Sequence, residues 1–161
     1  SDLYESTSIY DTKVSTGNDL LDVLLTEKSL YCEQHGITFS CLAQGEKLAF
    51  MDRGDLFCLF GNIIDNALEA VRGLPEREKR VINLSVKSKN DLLIVQEENY
   101  FGGQLSFKDG LPVTTKEDKN YHGFGTRSIR MIARKYGGEL TTGVSGDVFH
   151  LNIIFSMSEA R

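Results

Sequence analysis

Asn62 and Asn66 stand one helical turn apart in the stretch Asp55-Leu56-Phe57-Cys58-Leu59-Phe60-Gly61-Asn62-Ile63-Ile64-Asp65-Asn66-Ala67-Leu68-Glu69-Ala70-Val71. Plotted at about 100° per residue, Leu56, Phe57, Phe60, Ile63, Ile64, Ala67, Leu68 and Val71 fall in one apolar arc. Asp55, Asn62, Asp65, Asn66, Glu69 and Gly73 fall on the other side. The wet face of an amphipathic helix ordinarily carries Lys, Arg and Glu, which favour the helix and like water. Asn competes with the backbone for hydrogen bonds and disfavours the helix, so two of them in register cost stability with no local gain. A ligand accounts for them. A neutral amide oxygen completes the shell of a Mg²⁺ that already holds waters and phosphate oxygens, and it adds no charge to an anionic site.

The second place where residue type suggests chemistry is His122-Gly123-Phe124-Gly125-Thr126, between a long irregular segment and a helix expected after Gly125. Glycines let the backbone approach an anion, and the free N–H groups of a first helical turn favour negative charge. Other glycine signatures fail. No G-x-x-x-x-G-K-[ST] is present, which excludes a P-loop. Gly123-Phe124-Gly125 follows a loop instead of a strand and has Ser128 where a dinucleotide fingerprint needs its third glycine, so a Rossmann fold is rejected. Gly143-Val144-Ser145-Gly146 lacks the spacing of a nucleophile elbow and reads as a turn between strands.

The elements that must position these residues follow from periodicity and punctuation. Asn18 suits the cap of a helix from Asp19 to about Gln34, with Leu20, Leu21, Val23, Leu24, Leu25, Leu30 and Tyr31 as its buried stripe and Gly36 as its left-handed stop. Ile37 to Leu42 alternates apolar and polar, as a strand with one buried face does. The long helix spans about Asp52 to Arg72. Val81–Lys87 and Leu92 to about Glu97 form a hairpin about Lys89-Asn90-Asp91. From Gly102 to Tyr121 no period is sustained, which marks a lid, a binding loop or a disordered insert. The helix after Gly125 buries Ile129, Ile132 and Ala133 and closes at Gly137-Gly138. A last hairpin joins Glu139–Thr142 to Val148–Phe155 about Gly143 to Asp147. Three helices and five or six strands joined by hairpins imply an α/β (α+β) two-layer sandwich: a mostly antiparallel mixed sheet covered on one face by helices.

Composition narrows the class. A chain of 161 residues, 40% of them apolar, suits one domain, here residues 17–161, with 1–16 a Ser/Thr-rich linker or edge segment. The formal net charge of -5 argues against a nucleic-acid partner. Cys32, Cys41 and Cys58 lack metal-ligand spacing and cannot all pair, so they read as reduced packing residues of a cytoplasmic protein. No apolar run is long enough to span a membrane. No signal peptide opens the chain, and a piece of a larger, membrane-bound protein is compatible with it.

Asn62-Ile63-Ile64-Asp65-Asn66-Ala67 resembles the N box, and His122-Gly123-Phe124-Gly125 the G2 box, of the GHKL ATP-binding superfamily, which includes gyrase, Hsp90, MutL and the sensor histidine kinases. Thr16-Gly17-Asn18, Asp65 to Ala70 and Asp109-Gly110-Leu111-Pro112-Val113-Thr114-Thr115-Lys116 are similar in wording to the catalytic domains of Gram-positive sensor histidine kinases. The resemblance runs in order from about residue 16 to 157. It implies the Bergerat fold, with ATP held between the long helix and a mobile lid loop. It further implies Asn66 as the Mg²⁺ ligand and Asn62 at the phosphates or a metal-bound water. Gly123 and Gly125 would receive the phosphate chain, with Phe124 between them and Lys116 and His122 as lid contacts. ATP and Mg²⁺ are the implied cofactors. The implied partners are an upstream dimerisation and phosphoacceptor domain and a response regulator.

Two departures from the superfamily pattern matter. Where most members carry an adenine-binding Asp in D-x-G-x-G, this chain reads Gln96-Glu97-Glu98-Asn99-Tyr100-Phe101-Gly102-Gly103. The resemblance assigns the adenine contact to Asn99, whose carbonyl accepts from the N6 amine without charge assistance, so weak affinity is expected. Glu97 and Glu98 point to opposite faces of a strand and are expected on a solvated edge. Superfamily hydrolases also place a water-activating Glu one turn before the metal-binding Asn. Here that position is Asn62, and an amide takes no proton at neutral pH. This suits phosphoryl transfer to a histidine outside the chain, since His35, His122 and His150 lie on no dimerising hairpin. Thr126, where the family usually has Leu, leaves open a degenerate kinase serving as a nucleotide-gated interaction module. An anti-sigma-type serine kinase is the other alternative.

Overall fold

Asn18 opens the first helix, α1 (Asp19–Gln34), by accepting from the backbone N–H of Leu21 at 3.1 Å. The computed structural model describes residues 14–103, 106–108, 110–113 and 119–158. Leu21, Leu24, Leu25 and Cys32 form the buried stripe of α1. Val23 and Leu30, expected inside, are 65% and 43% exposed. They lie around the helix from that stripe, at positions the 3.6-residue period turns outward. Gly36 follows with φ +68°.

Strand β1 (Thr38–Ala43) then alternates exposed Thr38, Ser40 and Leu42 with half-buried Phe39, Cys41 and Ala43. A short 3₁₀ turn, Gly45–Leu48, leads into α2 (Arg53–Val71). Asp52 caps α2, its Oδ2 accepting from Gly54 N at 3.1 Å. The buried stripe of α2 is Leu56, Leu59, Phe60, Ile63, Ile64, Ala67, Leu68 and Val71, a 3-4 repeat through the whole helix. Phe57, expected in the arc, is one step around from it and 48% exposed.

The sheet is completed by β2 (Val81–Lys89), β3 (Leu92–Tyr100), β6 (Glu139–Ser145) and β7 (Val148–Ser156), in the order β1-β2-β3-β7-β6. Only β1–β2 is parallel, because α2 carries the chain across between them. Asn90, at φ 55°, turns β2 into β3. β6 runs on through Gly143, so the last turn is tighter than the sequence suggests. The His150 ring, paired across the ladder, fills the space where a Cβ at Gly143 would lie, 2.5 Å from its Cε1.

The segment from 102 to 121 is not structureless. It holds β4 (Ser106–Lys108) and β5 (Leu111–Val113), an antiparallel pair too short to show a period. Helix α3 (Lys119–Lys135) begins before the G2 glycines, not after Gly125. The fold is thus α+β, a five-stranded mixed sheet with three helices among the described residues. α1 packs on β1, α2 on β2 and β3, and α3 on β6 and on α2.

Candidate functional site

With its apolar stripe turned to the core, α2 leaves Asn62 and Asn66 half-buried on a flank, one turn apart and on one line. Helix α3 lies along that flank. A Cβ at Gly125 would sit 3.2 Å from Asn66 Oδ1, and Gly125 and Thr126 are both buried. Each glycine inside a helix costs about 1 kcal/mol relative to Ala, and at Gly125 the missing side chain lets α3 rest on the Asn66 amide without displacing it. The N–H groups of Gly123 and Gly125 therefore lie within the helix, past its four free N-terminal donors.

The antiparallel approach of α2 and α3 is fixed at its far end by Asp55. Its Oδ2 accepts from Lys135 Nζ at 2.7 Å and from the Tyr136 hydroxyl at 2.5 Å, while the same hydroxyl oxygen accepts from Asp52 N at 3.0 Å. The Lys135 hydrogen bond, then that of Tyr136, holds the Asp55 carboxyl below the usual range. The other polar residues of α2 are tied elsewhere. Asp65 pairs with Lys28 of α1 at 2.9 Å, and Glu69 pairs with Arg72, the C-cap of the same helix.

On the sheet side, Leu93, Val95, Glu97 and Asn99 form the buried face of β3. Asn99 is 4% exposed, and its Nδ2 donates to Tyr100 O at 2.8 Å. That bond leaves the carboxamide oxygen to accept from a ligand. Glu97 overturns the expectation of a solvated edge. It is 1% exposed, placed between Leu84 and Leu151 in the ladder, and its Oε2 is buried with no hydrogen-bond partner among the described residues. Burial, then the nearby Glu98, pushes its carboxyl well above the usual carboxylate range. Glu98 alone takes the solvent-side position, accepting from Gln96 at 3.1 Å. Extending the period-two alternation from Val95 through Asn99 would have placed Glu97 inside.

Lys116 lies outside the described residues, as do the side chains of His122 and Phe124; the backbone of His122, Gly123 and Phe124 belongs to α3. The structure therefore brings Asn66 to Gly125, keeps Asn62 one turn away, and sets Asn99 on the sheet face that α2 covers. Among the described residues no three His, Cys, Asp or Glu side chains converge as a metal site. The donor set fits a Mg²⁺ that arrives with a triphosphate and takes one amide oxygen, and it does not fit a resident ion caged by protein. A separate groove of about 490 Å³, along Val14–Thr16, Ser29, Glu33 and the edge of β1, contains none of these residues.

Residues 51–156, from the cap of α2 to the end of β7, match the GHKL domain family. The chain belongs to the GHKL family. No curated protein matches it in sequence. The nucleotide-free catalytic domain of histidine kinase ThkA superposes with a TM-score of 0.64 at 18% identity, over 89% of this chain and 93% of that one. Acinetobacter baumannii histidine kinase AdeS gives 0.60 at 14% identity, over 98% of this chain and 76% of its own. Full-length ShkA in complex with AMPPNP gives 0.57 at 12% identity, over 91% of this chain and 33% of that one. The GHKL domain thus shares its fold with histidine kinase catalytic domains. No helix of the described residues is long and apolar enough to cross a membrane.

Proposed function

We propose that this GHKL domain is the ATP-binding catalytic domain of a two-component sensor histidine kinase. It would bind Mg·ATP and present the γ-phosphoryl to a histidine outside the chain, on a dimerisation domain that precedes it in the parent protein. A response regulator would then receive the group. The observation that carries this reading is the seating of Gly125 on Asn66, which joins the two sequence boxes that the family uses for metal and phosphate. The likeness of the fold to ThkA, AdeS and the AMPPNP-bound ShkA supports it.

In this reading Asn66 supplies its amide oxygen to the metal that accompanies the phosphates, which neutralises charge during transfer. Asn62 donates from its Nδ2 to a phosphate oxygen or orients a metal-bound water. Because it takes no proton, water at that position stays a poor nucleophile and hydrolysis is suppressed. Asn99 accepts from the adenine N6 amine. Gly123 and Gly125 offer their N–H groups once the first turns of α3 uncoil, a change that two glycines make inexpensive. Lys116, His122 and Phe124 close over the phosphates. The site is cytoplasmic in the parent kinase, where ATP is available.

Phosphotransfer tests this. The parent protein incubated with γ-labelled ATP is expected to gain an acid-labile phosphohistidine, and Asn66→Asp is expected to abolish it. The isolated domain is expected to remain unlabelled. Full labelling of the Asn66→Asp parent would contradict the proposal.

A further inference from the structure

Glu97 is a buried carboxyl without a structural reason to be there. In an inner position of β3, between Leu84 and Leu151, a Val or Leu would pack without loss. Its Oε2 forms no hydrogen bond with the described residues, so the residue does not repay the desolvation of a buried polar group by holding the fold together. A polar side chain so buried and so unsatisfied is accounted for by something that arrives later.

Its place in the strand says what arrives. Glu97 and Asn99 are two residues apart on the same buried face of β3, about 6–7 Å along the strand, beneath α2. Asn99 donates one Nδ2 hydrogen to Tyr100 O and retains its carbonyl acceptor. Burial between Leu84 and Leu151, then the nearby Glu98, favours the protonated form of the Glu97 carboxyl. The pair therefore presents an acceptor from Asn99 and a hydroxyl donor from Glu97. Adenine presents the complement on one edge: a donor at the N6 amine and, across C6 from it, an acceptor at N1.

We propose that Glu97 is a specificity-determining residue of the base subsite, its carboxyl hydroxyl donating to adenine N1 while Asn99 accepts from N6. This rests on the nucleotide-binding reading above and assigns it a residue beyond the family's usual adenine contact. The neutral Asn99 contact is thereby supplemented by a second one.

The test uses the intact folded chain, titrated calorimetrically with Mg·ATP and with Mg·1-deaza-ATP, in which N1 is replaced by C–H. Wild type is expected to bind ATP about tenfold tighter than the deaza analogue, because the analogue orphans a buried donor. Glu97→Val is expected to bring that ratio close to one. The variant should unfold at a temperature no lower than wild type, which separates loss of a contact from loss of the fold. An unchanged ratio in Glu97→Val, or no discrimination by wild type, overturns the role of Glu97 while leaving nucleotide binding in place. Failure of wild type to bind either nucleotide overturns the underlying reading and this one with it.

Discussion

Gly125 sits so close to Asn66 that a methyl group there would begin 3.2 Å from the amide oxygen. The contact links the helix that carries the carboxamides to the helix that contains Gly123 and Gly125. It is held at the opposite end by Lys135 and Tyr136 on Asp55. Small changes at this crossing should therefore separate stability from ligand binding.

Gly125→Ala is the sharpest such change. Replacing an interior helical glycine favours the helix by up to about 1 kcal/mol, and the Asn66 amide, the free end of a half-buried side chain, can swing a few tenths of an ångström. The variant is expected to melt no lower than wild type. It should nonetheless bind Mg·ATP about tenfold more weakly, because the amide is displaced and the first turns of α3 resist uncoiling. Paired thermal unfolding and titration check both halves.

Asp65→Ala provides the contrast one residue away. Its ion pair with Lys28 joins α1 to α2 with side chains 22% and 40% exposed, and such pairs contribute about 0–1 kcal/mol, less in salt. A small, salt-screened loss of stability with unchanged nucleotide affinity is expected. A large affinity loss would mean that the polar flank of α2 acts as a whole.

Glu97 should leave a signature in the pH dependence of unfolding. Its folded carboxyl titrates well above the usual range, chiefly through burial. Below the ordinary glutamate value both states are protonated. Above it the unfolded chain releases a proton that the fold retains, so stability declines with rising pH until the folded group also ionises. Glu97→Gln removes this term. Its melting temperature should rise relative to wild type as pH is raised from about 5 to about 8, and a constant difference across that range would contradict it.

Gly138→Ala should weaken the fold without touching the site. Its Cβ would fall 2.6 Å from Cε1 of the buried Phe155 and 3.0 Å from the Ala133 carbonyl oxygen, and overpacking of this kind costs about 1–3 kcal/mol. Gly73→Ala, where nothing lies within 4 Å, is the control. Chemical denaturation should show a lower midpoint for the first variant and little change for the second.

Which of these features could be read from residue order follows from the range of the forces involved. Local punctuation was legible: the Asn18 cap, the Gly36 stop, the Asn90 turn and the bounds of α2 all depend on neighbours in sequence. The carboxamide line of Asn62 and Asn66 was legible for the same reason, since unfavourable residues at helical spacing stand out. Phe57, Val23 and Leu30 were misplaced because hydrophobicity alone does not say which apolar residue a neighbouring element covers. The start of α3 was hidden because glycine disfavours a helix interior, so His122-Gly123-Phe124-Gly125 reads as the end of a loop although it lies inside the helix. Glu97 was hidden by its charge, although the alternation of β3 carried its position. Gly143 stayed in β6 because of a ring seven residues later in the chain.

The decisive measurement is a calorimetric titration of the folded chain with Mg·ATP, repeated on Asn66→Ala. Wild type is expected to give a saturable, weak binding isotherm, and the variant is expected to lose at least about tenfold in affinity at unchanged melting temperature, as removal of a group that binds a metal or makes a hydrogen bond to a ligand does. Equal isotherms for the two proteins would remove Asn66 from the site and with it the reading of α2 as the wall of a nucleotide cleft.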